Sequence, residues 1–513
     1  MSRAMSISVS YQSHGVLLVI GKLETVREVV PQLPQIFKTV AITSGGKLEQ
    51  QDTAQLVKSV PGSVVQVRGH LGRFVASAAG PEGLLDLGPL SPNENGCFDL
   101  VLDLNKHPLL DIEVPPMGYA RTYGSSDKGS LKPKLERLAK LIGTVNKPRY
   151  FSFHAARCAH EAQGIMGCSQ CLSACPAGAI HDEHGSITIS PWLCRGCGSC
   201  ALVCPTGAVA YARPSPKTTL ISIAETLDKH RGQQLPPVLA IYAGDSVGKA
   251  IPDNIPALKV TAIGSVGMEL WIAALALGAS RVLIINSGLL PDTTARLLEE
   301  QIRQARSLLE SLAEAPERIR SVDDPSRIDW QGLPNAWPPL PVSKLRRREH
   351  DKRRLLMTAL GHLATNSTRQ RTVVPVDDSA PFGTVDIQPS RCSLCMACTQ
   401  LCPTAALHVE DGSLSFTEAT CVQCHLCEQA CPENALQLRR QLDPDALISF
   451  SRKTLMPAPE MFCCVECGQP FAPKSLVENS ITHVQHHPMF QNDGKRLLEM
   501  CMECRQKSTL AMG

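Results

Sequence analysis

The amino-terminal part of the chain alternates between short apolar runs and amphipathic stretches. The predicted strands are Val16–Ile20, Val40–Thr43, Ser63–Val67 and Phe98–Leu104. An amphipathic segment, ETVREVVPQLPQIF, lies between the first two strands. No small-residue cleavage signal follows the first apolar run, so we interpret it as a strand and not as part of a signal peptide. This order predicts an α/β domain over residues 1–127.

Residues 216–320 show the same alternation. The predicted strands and helices are Val238–Tyr242, Leu258–Ile263, Met268–Leu277 (helix), Arg281–Asn286 and Thr293–Leu312 (helix). Such alternation is typical of a parallel sheet covered by helices. Neither the dinucleotide-binding glycine fingerprint nor a P-loop is present. We therefore interpret the glycines of 243–248, Gly264 and Gly267 as tight strand-to-helix turns.

Residues 321–380 form a predicted linker. A Pro-rich stretch, WQGLPNAWPPLPVSK, precedes KLRRREHDKRRLLMTALGHLA, which is predicted as one helix with a basic first half. A charge run of this kind indicates a solvent-exposed helix face. The alternative is that Arg346, Arg347 and Arg348 dock an acidic face of a partner.

Fifteen of the 22 cysteines follow one spacing. The pattern C-x2-C-x2-C-x3-C-P occurs intact three times and once without its first cysteine, and each run ends in Cys-Pro. This is the spacing of 4Fe–4S ligation in two-cluster ferredoxins, where three cysteines of a run bind one cluster and the fourth binds its neighbour. Structural zinc needs neither the third cysteine nor the trailing proline. We predict two dicluster ferredoxin-like modules, at residues 128–215 and 381–440.

The crossed pairing of the runs assigns sixteen cysteines to four clusters. The predicted ligand sets are Cys392, Cys395, Cys398 and Cys431; Cys421, Cys424, Cys427 and Cys402; Cys194, Cys197, Cys200 and Cys175; and Cys168, Cys171, Cys204 and Cys158. In the last set Ile165 occupies the regular fourth position, and Cys158 lies seven residues before it. We predict Cys158 as the substitute ligand. A 3Fe–4S centre, a histidine ligand (His154 or His160) or a lost cluster are the alternatives.

Residues 441–513 carry two further C-x2-C knuckles. Cys464 with Cys467 and Cys501 with Cys504 predict a four-thiolate, zinc-ribbon-like structural site. The Cys463–Cys464 doublet leaves the register open, and His483, His486 and His487 lie between the knuckles as competing ligands. The remaining cysteine, Cys97, stands beside a predicted strand and is expected to be a buried core thiol.

Two segments resemble known families. The segment PPVLAIYAGDSVGK…LKVTAIGSVGMELWIAALALGASRVLIIN resembles the delta-subunit domain of methyl-viologen-reducing hydrogenases, although it lacks the cysteines carried there. That resemblance implies a domain that works beside ferredoxin modules and relays electrons between enzymes. The segment RCAHEAQGIMGCSQCLSACPAGAI resembles proteobacterial polyferredoxin-type 4Fe–4S proteins found alongside formate dehydrogenase. This second resemblance implies that Cys158 is a ligand.

Length, charge and hydropathy limit the remaining possibilities. A chain of 513 residues corresponds to three or four domains at about 150 residues each. The net charge of +3 gives no broad electrostatic case for nucleic acid or a membrane surface. The sequence contains no apolar run of about 18 residues, so we expect no membrane insertion. Thiolate-rich sites suit a reducing compartment, and we expect a cytoplasmic protein.

These features together predict an α/β multidomain protein in which two dicluster ferredoxin-like modules are inserted among parallel-sheet domains. The predicted function is relay of single electrons through up to four 4Fe–4S clusters to or from a redox partner such as a dehydrogenase. No acid–base pair, nucleophile motif or flavin motif indicates an active site. Two alternatives stay open: an oxidoreductase subunit whose α/β domain holds flavin or nicotinamide, and a redox-sensing assembly factor.

Overall fold

The computed structural model describes most of the chain. The described residues are 8–46, 56–80, 83–122, 128–230, 237–286, 288, 290–330, 332, 345, 351–366, 371–410, 413–448, 452–484, 486–487 and 493–511. Among them, no helix is both long enough and apolar enough to cross a membrane. The predicted docking residues Arg346, Arg347 and Arg348 lie outside the described residues.

The amino-terminal domain contains a parallel sheet with a core on each face. Its elements are β1 (Ser8–Ser13), β2 (Val16–Lys22), α1 (Leu23–Val29), β3 (Lys38–Ser44), β4 (Leu56–Pro61), β5 (Val64–His70), β6 (Arg73–Gly80), β7 (Gly83–Asp86), β8 (Leu100–Asp103) and β9 (Tyr119–Arg121). The parallel order is β4–β3–β2–β8–β9. Side chains of β2 alternate between the two cores, as the period of a strand requires: Leu17 enters one and Leu18 the other.

The four strands predicted in this domain are confirmed, but they do not all join one sheet. The run predicted at 63–67 is β5, which pairs with β6 and β7 in a separate antiparallel sheet. The amphipathic segment between the first two predicted strands contains α1, which passes into a 3-10 turn at Val30–Gln32, where Pro31 stands. Helix α2 (Lys128–Ala139) buries its leucines in the core that Leu17 enters. Strand β10 (Gly143–Pro148) then pairs with β1.

The first cysteine-rich region, module 1, is made of short hairpins and single helical turns. Its elements are β11 (Phe151–Phe153), β12 (Glu161–Ala162), β13 (Ile165–Met166), α3 (Gln170–Ser173), β14 (Ile180–Glu183), β15 (Ser186–Ile189), α4 (Ser199–Val203) and β16 (Val209–Tyr211). Strand β11 pairs with β16, and β14 pairs with β15. The apolar side chains of these strands surround the cysteines.

The central domain confirms the predicted alternation of strands and helices. Its elements are α5 (Pro216–Lys229), β17 (Val238–Tyr242), α6 (Asp245–Gly248), β18 (Ala257–Lys259), α7 (Met268–Ala276), β19 (Arg281–Ile285), α8 (Asp292–Ser311) and β20 (Ile319–Val322). The sheet is parallel, in the order β18–β17–β19–β20. The strand predicted at 258–263 is wrong in its second half, because Ile263–Ser265 forms a 3-10 turn.

The basic helix predicted from Lys344 is confirmed only from Lys352 onward, as α9 (Lys352–Asn366), because Asp351 lies outside the helix; its predicted exposure is also wrong at Arg353. Its apolar side chains pack against α7 in the central core, and Arg353 is only 7% exposed. The same core takes in Phe382 and Ala419 from the second cysteine-rich region. Helix α9 therefore joins the central domain to that region.

The second cysteine-rich region, module 2, repeats the plan of module 1. Its elements are β21 (Val374–Pro375), β22 (Gly383–Ile387), α10 (Ala397–Gln400), β23 (Leu407–Glu410), β24 (Ser413–Phe416), α11 (Leu426–Gln429) and β25 (Leu436–Leu442). Strand β25 pairs with β22 and β21, and β24 pairs with β23. A carboxy-terminal region follows: α12 (Pro444–Leu447), β26 (Thr454–Leu455), β27 (Met461–Cys463), β28 (Pro470–Pro473), α13 (Lys474–Val484), α14 (Asp493–Leu498) and α15 (Met502–Ala511).

Candidate metal centres

The sixteen cysteines predicted as cluster ligands form four sets: two sets line common pockets, and in the other two the thiols raise one another's pKa. We call these groups site A (Cys175, Cys194, Cys197, Cys200), site B (Cys158, Cys168, Cys171, Cys204), site C (Cys402, Cys421, Cys424, Cys427) and site D (Cys392, Cys395, Cys398, Cys431). Sites A and B belong to module 1, and sites C and D belong to module 2. In sites A, C and D, three cysteines come from one run of the chain and one from another, whereas site B combines Cys168 and Cys171 of one run, Cys204 of the next, and Cys158 from before both.

The three intact runs share one backbone conformation. In each, the residues on both sides of the second cysteine have positive φ. These residues are Gly196 (76°) and Gly198 (88°), Leu394 (52°) and Met396 (60°), and Gln423 (55°) and His425 (68°). Non-glycine residues adopt this region at a cost that the surrounding structure must offset. Two successive reversals of this kind wrap the loop so that its three thiols face one point.

The Cys-Pro cysteines also share a hydrogen-bond pattern. A backbone amide four or five residues later donates to each sulfur: Ala179 N–H to Cys175 (3.2 Å), Val209 to Cys204 (3.4 Å), Ala406 to Cys402 (3.2 Å) and Ala435 to Cys431 (3.2 Å). Amide donors stabilise negative charge on sulfur. In iron–sulfur proteins such donors help to set the reduction potential.

Sites A and D each line a pocket. All four thiols of site A line a largely apolar pocket, walled also by Tyr150 and Tyr211. All four thiols of site D line a second pocket. Four thiols lining one pocket are the donor set of a cubane cluster.

Burial makes each site unfavourable for free thiolates. Burial, and after it the three other thiols of the site, raise the pKa of Cys171 in site B to about 12. Burial likewise raises the pKa of Cys398 in site D to about 12, together with its three site partners. Thiols in this state become ligands when a bound cation supplies the opposing positive charge. The residues therefore fit an iron–sulfur cluster.

Site B is the irregular one, and it contains Cys158. The chain reverses through a β12–β13 hairpin, with Gln163 and Gly164 at positive φ, and so Ile165 lies in a strand. Of the two histidines considered as ligands, His160 is buried with Nδ1 2.9 Å from the Cys168 carbonyl oxygen. His154 is exposed. Cys158 is thus the side chain that the structure brings to the other three thiols.

The two carboxy-terminal knuckles also come together. The sulfurs of Cys464, Cys467, Cys501 and Cys504 all lie within 4.8 Å of one another. Cys464 is buried whereas Cys463 is exposed, so the register uses Cys464. Burial favours the Cys464 thiol, yet backbone N–H donors such as Cys467 and Cys501 outweigh it and lower its pKa to about 6. His483, His486 and His487 are not members of the group found among the described residues.

Three features near the sites were missed or misjudged from the sequence. Gly264 is not simply a turn glycine: a Cβ there would lie 2.5 Å from the Cys197 carbonyl oxygen, so the central domain approaches site A backbone to backbone. Lys147 donates to the carbonyl oxygen of Cys194 (2.7 Å). The expected burial of Cys97 is wrong, because it lies half-buried in the turn before β8.

Comparison with known families matches the two modules. Residues 166–209 match the 4Fe-4S dicluster domain, and residues 415–437 match the 4Fe-4S binding domain. No curated protein matches the chain. The fold and the sites define an iron–sulfur protein of mixed α/β structure with parallel sheets. More particularly, the chain carries two 4Fe–4S ferredoxin-type domains.

Proposed function

We propose that the protein relays single electrons to or from a partner oxidoreductase through four 4Fe–4S clusters held at sites A to D. The grouping of the cysteines supports the proposal: the thiols of sites A and D line common pockets, those of sites B and C raise one another's pKa, and the three intact runs share one backbone conformation. A bound cluster of this type accepts and releases one electron. Cys158 is the proposed fourth ligand of site B.

The protein side chains around the sites favour the reduced state of whatever the thiols bind. Reduction adds one negative charge, which N–H donors and cations stabilise. Lys147 lies beside site A. At site C, Arg353 is buried close to Cys421, and the guanidinium opposes the effect of burial on the pKa of that thiol. Because these cations occupy a poorly solvated interior, their effect on potential is larger than that of surface charges.

The carboxy-terminal site has a structural role in this proposal. Four thiol ligands with no vacant position are typical of structural zinc. The site lies at the end of a hairpin, β27–β28, and the helix that follows it, α13, contacts module 2. Ser475 donates to the Cys392 carbonyl oxygen (2.9 Å), and Asn479 donates to Glu433. Bound zinc would therefore hold α13 against the ligand loop of site D.

The partner and the setting are inferred from resemblance and chemistry. The first cysteine run resembles proteins found beside formate dehydrogenase, and residues 236–286 resemble the hydrogenase delta subunit. Both resemblances favour an electron relay between enzymes. Clusters with thiolate ligands also suit a reducing cytoplasm.

Metal analysis of anaerobically purified protein tests the proposal. We expect about sixteen iron atoms and one zinc ion per chain, with reduced-state EPR signals that account for four clusters. About twelve iron atoms would mean that site B is empty. Protein that binds zinc alone in every cysteine group would refute the redox function.

A separate assay tests the partner. Purified protein is mixed with a formate dehydrogenase and formate, and the visible absorbance of the clusters is followed. Bleaching that requires all three components supports this partner. Reduction by dithionite without reduction by formate would leave the relay function intact and exclude formate dehydrogenase as the donor.

A further inference from the structure

The two modules touch at the loops that carry sites B and C. A Cβ placed on Gly167, the residue before Cys168, would lie 2.8 Å from Leu426 Cγ and 3.0 Å from the Cys424 carbonyl oxygen. Strand β13 packs against α11 over the same contact. Such a Cβ would also lie 2.5 Å from the Ala159 carbonyl oxygen of module 1, so the glycine makes room for its own module as well as for the other. A ligand loop of one module thus lies directly against a ligand loop of the other.

Electrostatics places the thiols of the two sites in the same neighbourhood. Burial and neighbouring thiols, among them Cys168 of site B, raise the pKa of Cys424 in site C to about 12. Arg440 is influenced by both sites: burial lowers its pKa, while Asp378, Cys421 and Cys168 act in the opposite direction. Its guanidinium is held by the carbonyl oxygens of Ala380 and Gln423 and by His425 (3.1 Å).

Sites A and D each neighbour one of these two sites. In module 1, helix α3, which carries Cys171 of site B, packs against α4, which carries Cys200 of site A. In module 2, helix α10, which carries Cys398 of site D, packs against α11, which carries Cys427 of site C. These two contacts and the contact between sites B and C connect the four sites in the order A, B, C, D.

We propose that the contact of Gly167 and Cys168 with Cys424 and Leu426 joins the two modules into a single electron path, with sites B and C as its internal junction and sites A and D as its ends. The inference rests on the proposed function. Each transfer removes one electron from one site and adds it to the next, with no bond made or broken and no proton required. The chain contributes the junction by keeping position 167 free of a side chain.

A pair of matched variants tests the order by EPR, which reports magnetic coupling and does not depend on turnover. The first variant keeps the inner pair, sites B and C, and is called the inner-pair variant. Its substitutions, Cys194→Ala/Cys197→Ala/Cys392→Ala/Cys395→Ala, remove ligands of sites A and D. The second variant keeps the outer pair, sites A and D, and is called the outer-pair variant. Its substitutions, Cys168→Ala/Cys171→Ala/Cys421→Ala/Cys424→Ala, remove ligands of sites B and C. We expect about eight iron atoms in each.

After dithionite reduction, the inner-pair variant is expected to show spin–spin splitting or broadening, and the outer-pair variant an uncoupled spectrum. Uncoupled spectra from both iron-loaded variants would overturn the inference while leaving the proposed function standing. The absence of any reducible signal in the unaltered protein would instead refute the proposed function.

A second comparison keeps all module 1 ligands and applies if the fourfold variants lose their iron. Cys421→Ala/Cys424→Ala removes site C, and Cys392→Ala/Cys395→Ala removes site D. We expect the module 1 signal to saturate at lower microwave power when site C is removed, because it loses its neighbouring paramagnet. Removal of site D should leave that saturation close to the unaltered protein. Equal saturation in the two variants would overturn the proposed order.

Discussion

Lys352 and Arg353 are consecutive residues at the start of α9, yet they bind different modules. Lys352 Nζ donates to the carbonyl oxygens of Ala201 (2.6 Å) and Leu202 (2.7 Å) in module 1. Arg353 donates to the carbonyl oxygens of Ala419 (2.9 Å) and Pro381 (2.9 Å) in module 2, and its guanidinium lies 4.9 Å from the Phe382 ring centroid. One dipeptide therefore fixes the two modules relative to each other.

Replacing Arg353 by methionine should weaken this connection and lower the potential of site C. Its loss removes two charge-assisted hydrogen bonds and leaves two carbonyl groups without those donors, so we expect a destabilisation of about 2–4 kcal/mol. The potential falls because a buried cation near Cys421 is lost. Anaerobic thermal unfolding and an EPR redox titration measure the two effects.

The matched control for this variant is Arg354→Met. Arg354 is the next residue of α9 and is exposed, so the same change should alter stability by less than about 0.5 kcal/mol. Equal effects at positions 353 and 354 would contradict a specific role for Arg353. A site C potential that does not move in Arg353→Met would show that its guanidinium is too distant or too well screened to act on the cluster.

The sequence was sufficient to predict the elements whose burial follows a simple period. Strand β17 and the helices α7 and α8 are found within about a residue of the predicted bounds, because their apolar residues pack in the core of one domain. The ligand runs were predictable for another reason. Cysteine spacing encodes the geometry of the loop itself, so the grouping of thiols within a run needs no knowledge of other domains.

What the sequence could not show are contacts between distant segments. A glycine that fills a turn and a glycine that admits another backbone look alike, which is why Gly264 was interpreted as a turn residue. A basic run also gives no sign of its acceptors. The acceptors of Lys352 are carbonyl groups in the short helix α4, which has few intrahelical donors for them at its end. Burial of that lysine depends on this tertiary contact.

A methyl group at position 264 tests the close approach of the central domain to site A. In Gly264→Ala, the Cβ would lie 2.5 Å from the Cys197 carbonyl oxygen, so backbone must move. We expect a loss of about 1–3 kcal/mol, as for other overpacked positions. Chemical denaturation under anaerobic conditions measures it. A second readout is the EPR line shape of site A, which should change because its ligand loop is displaced.

The control for this variant is Gly361→Ala in α9. A Cβ at position 361 meets nothing closer than 3.4 Å, and alanine favours a helix over glycine by about 1 kcal/mol. This change should therefore be neutral or stabilising. If Gly264→Ala were equally well tolerated, the backbone contact between the central domain and module 1 would have no energetic importance.

Removing the thiol of Cys158 should reduce or abolish iron binding at site B and leave the other sites unchanged. Its loss leaves three thiols, and we expect iron content to fall from about sixteen to between about twelve and fifteen atoms per chain, the range from a lost cluster to a 3Fe–4S centre. The matched control is Cys97→Ala, a half-buried cysteine outside all five metal groups, which should keep its full iron content. Unchanged iron and EPR spectra in Cys158→Ala would assign the fourth ligand elsewhere.

Loss of the carboxy-terminal site should affect site D before the other three. In Cys501→Ser/Cys504→Ser, two of four ligands are gone and zinc should be lost. Helix α13 would then no longer be held against module 2, where Ser475 donates to the Cys392 carbonyl oxygen. We expect faster oxygen-induced iron loss, limited to about four of sixteen atoms, as measured by iron release and EPR in air.

Cys463→Ser, which changes the exposed neighbour of Cys464, is the control and should keep zinc. Equal loss of iron from all four sites would contradict a specific role of α13 in protecting site D.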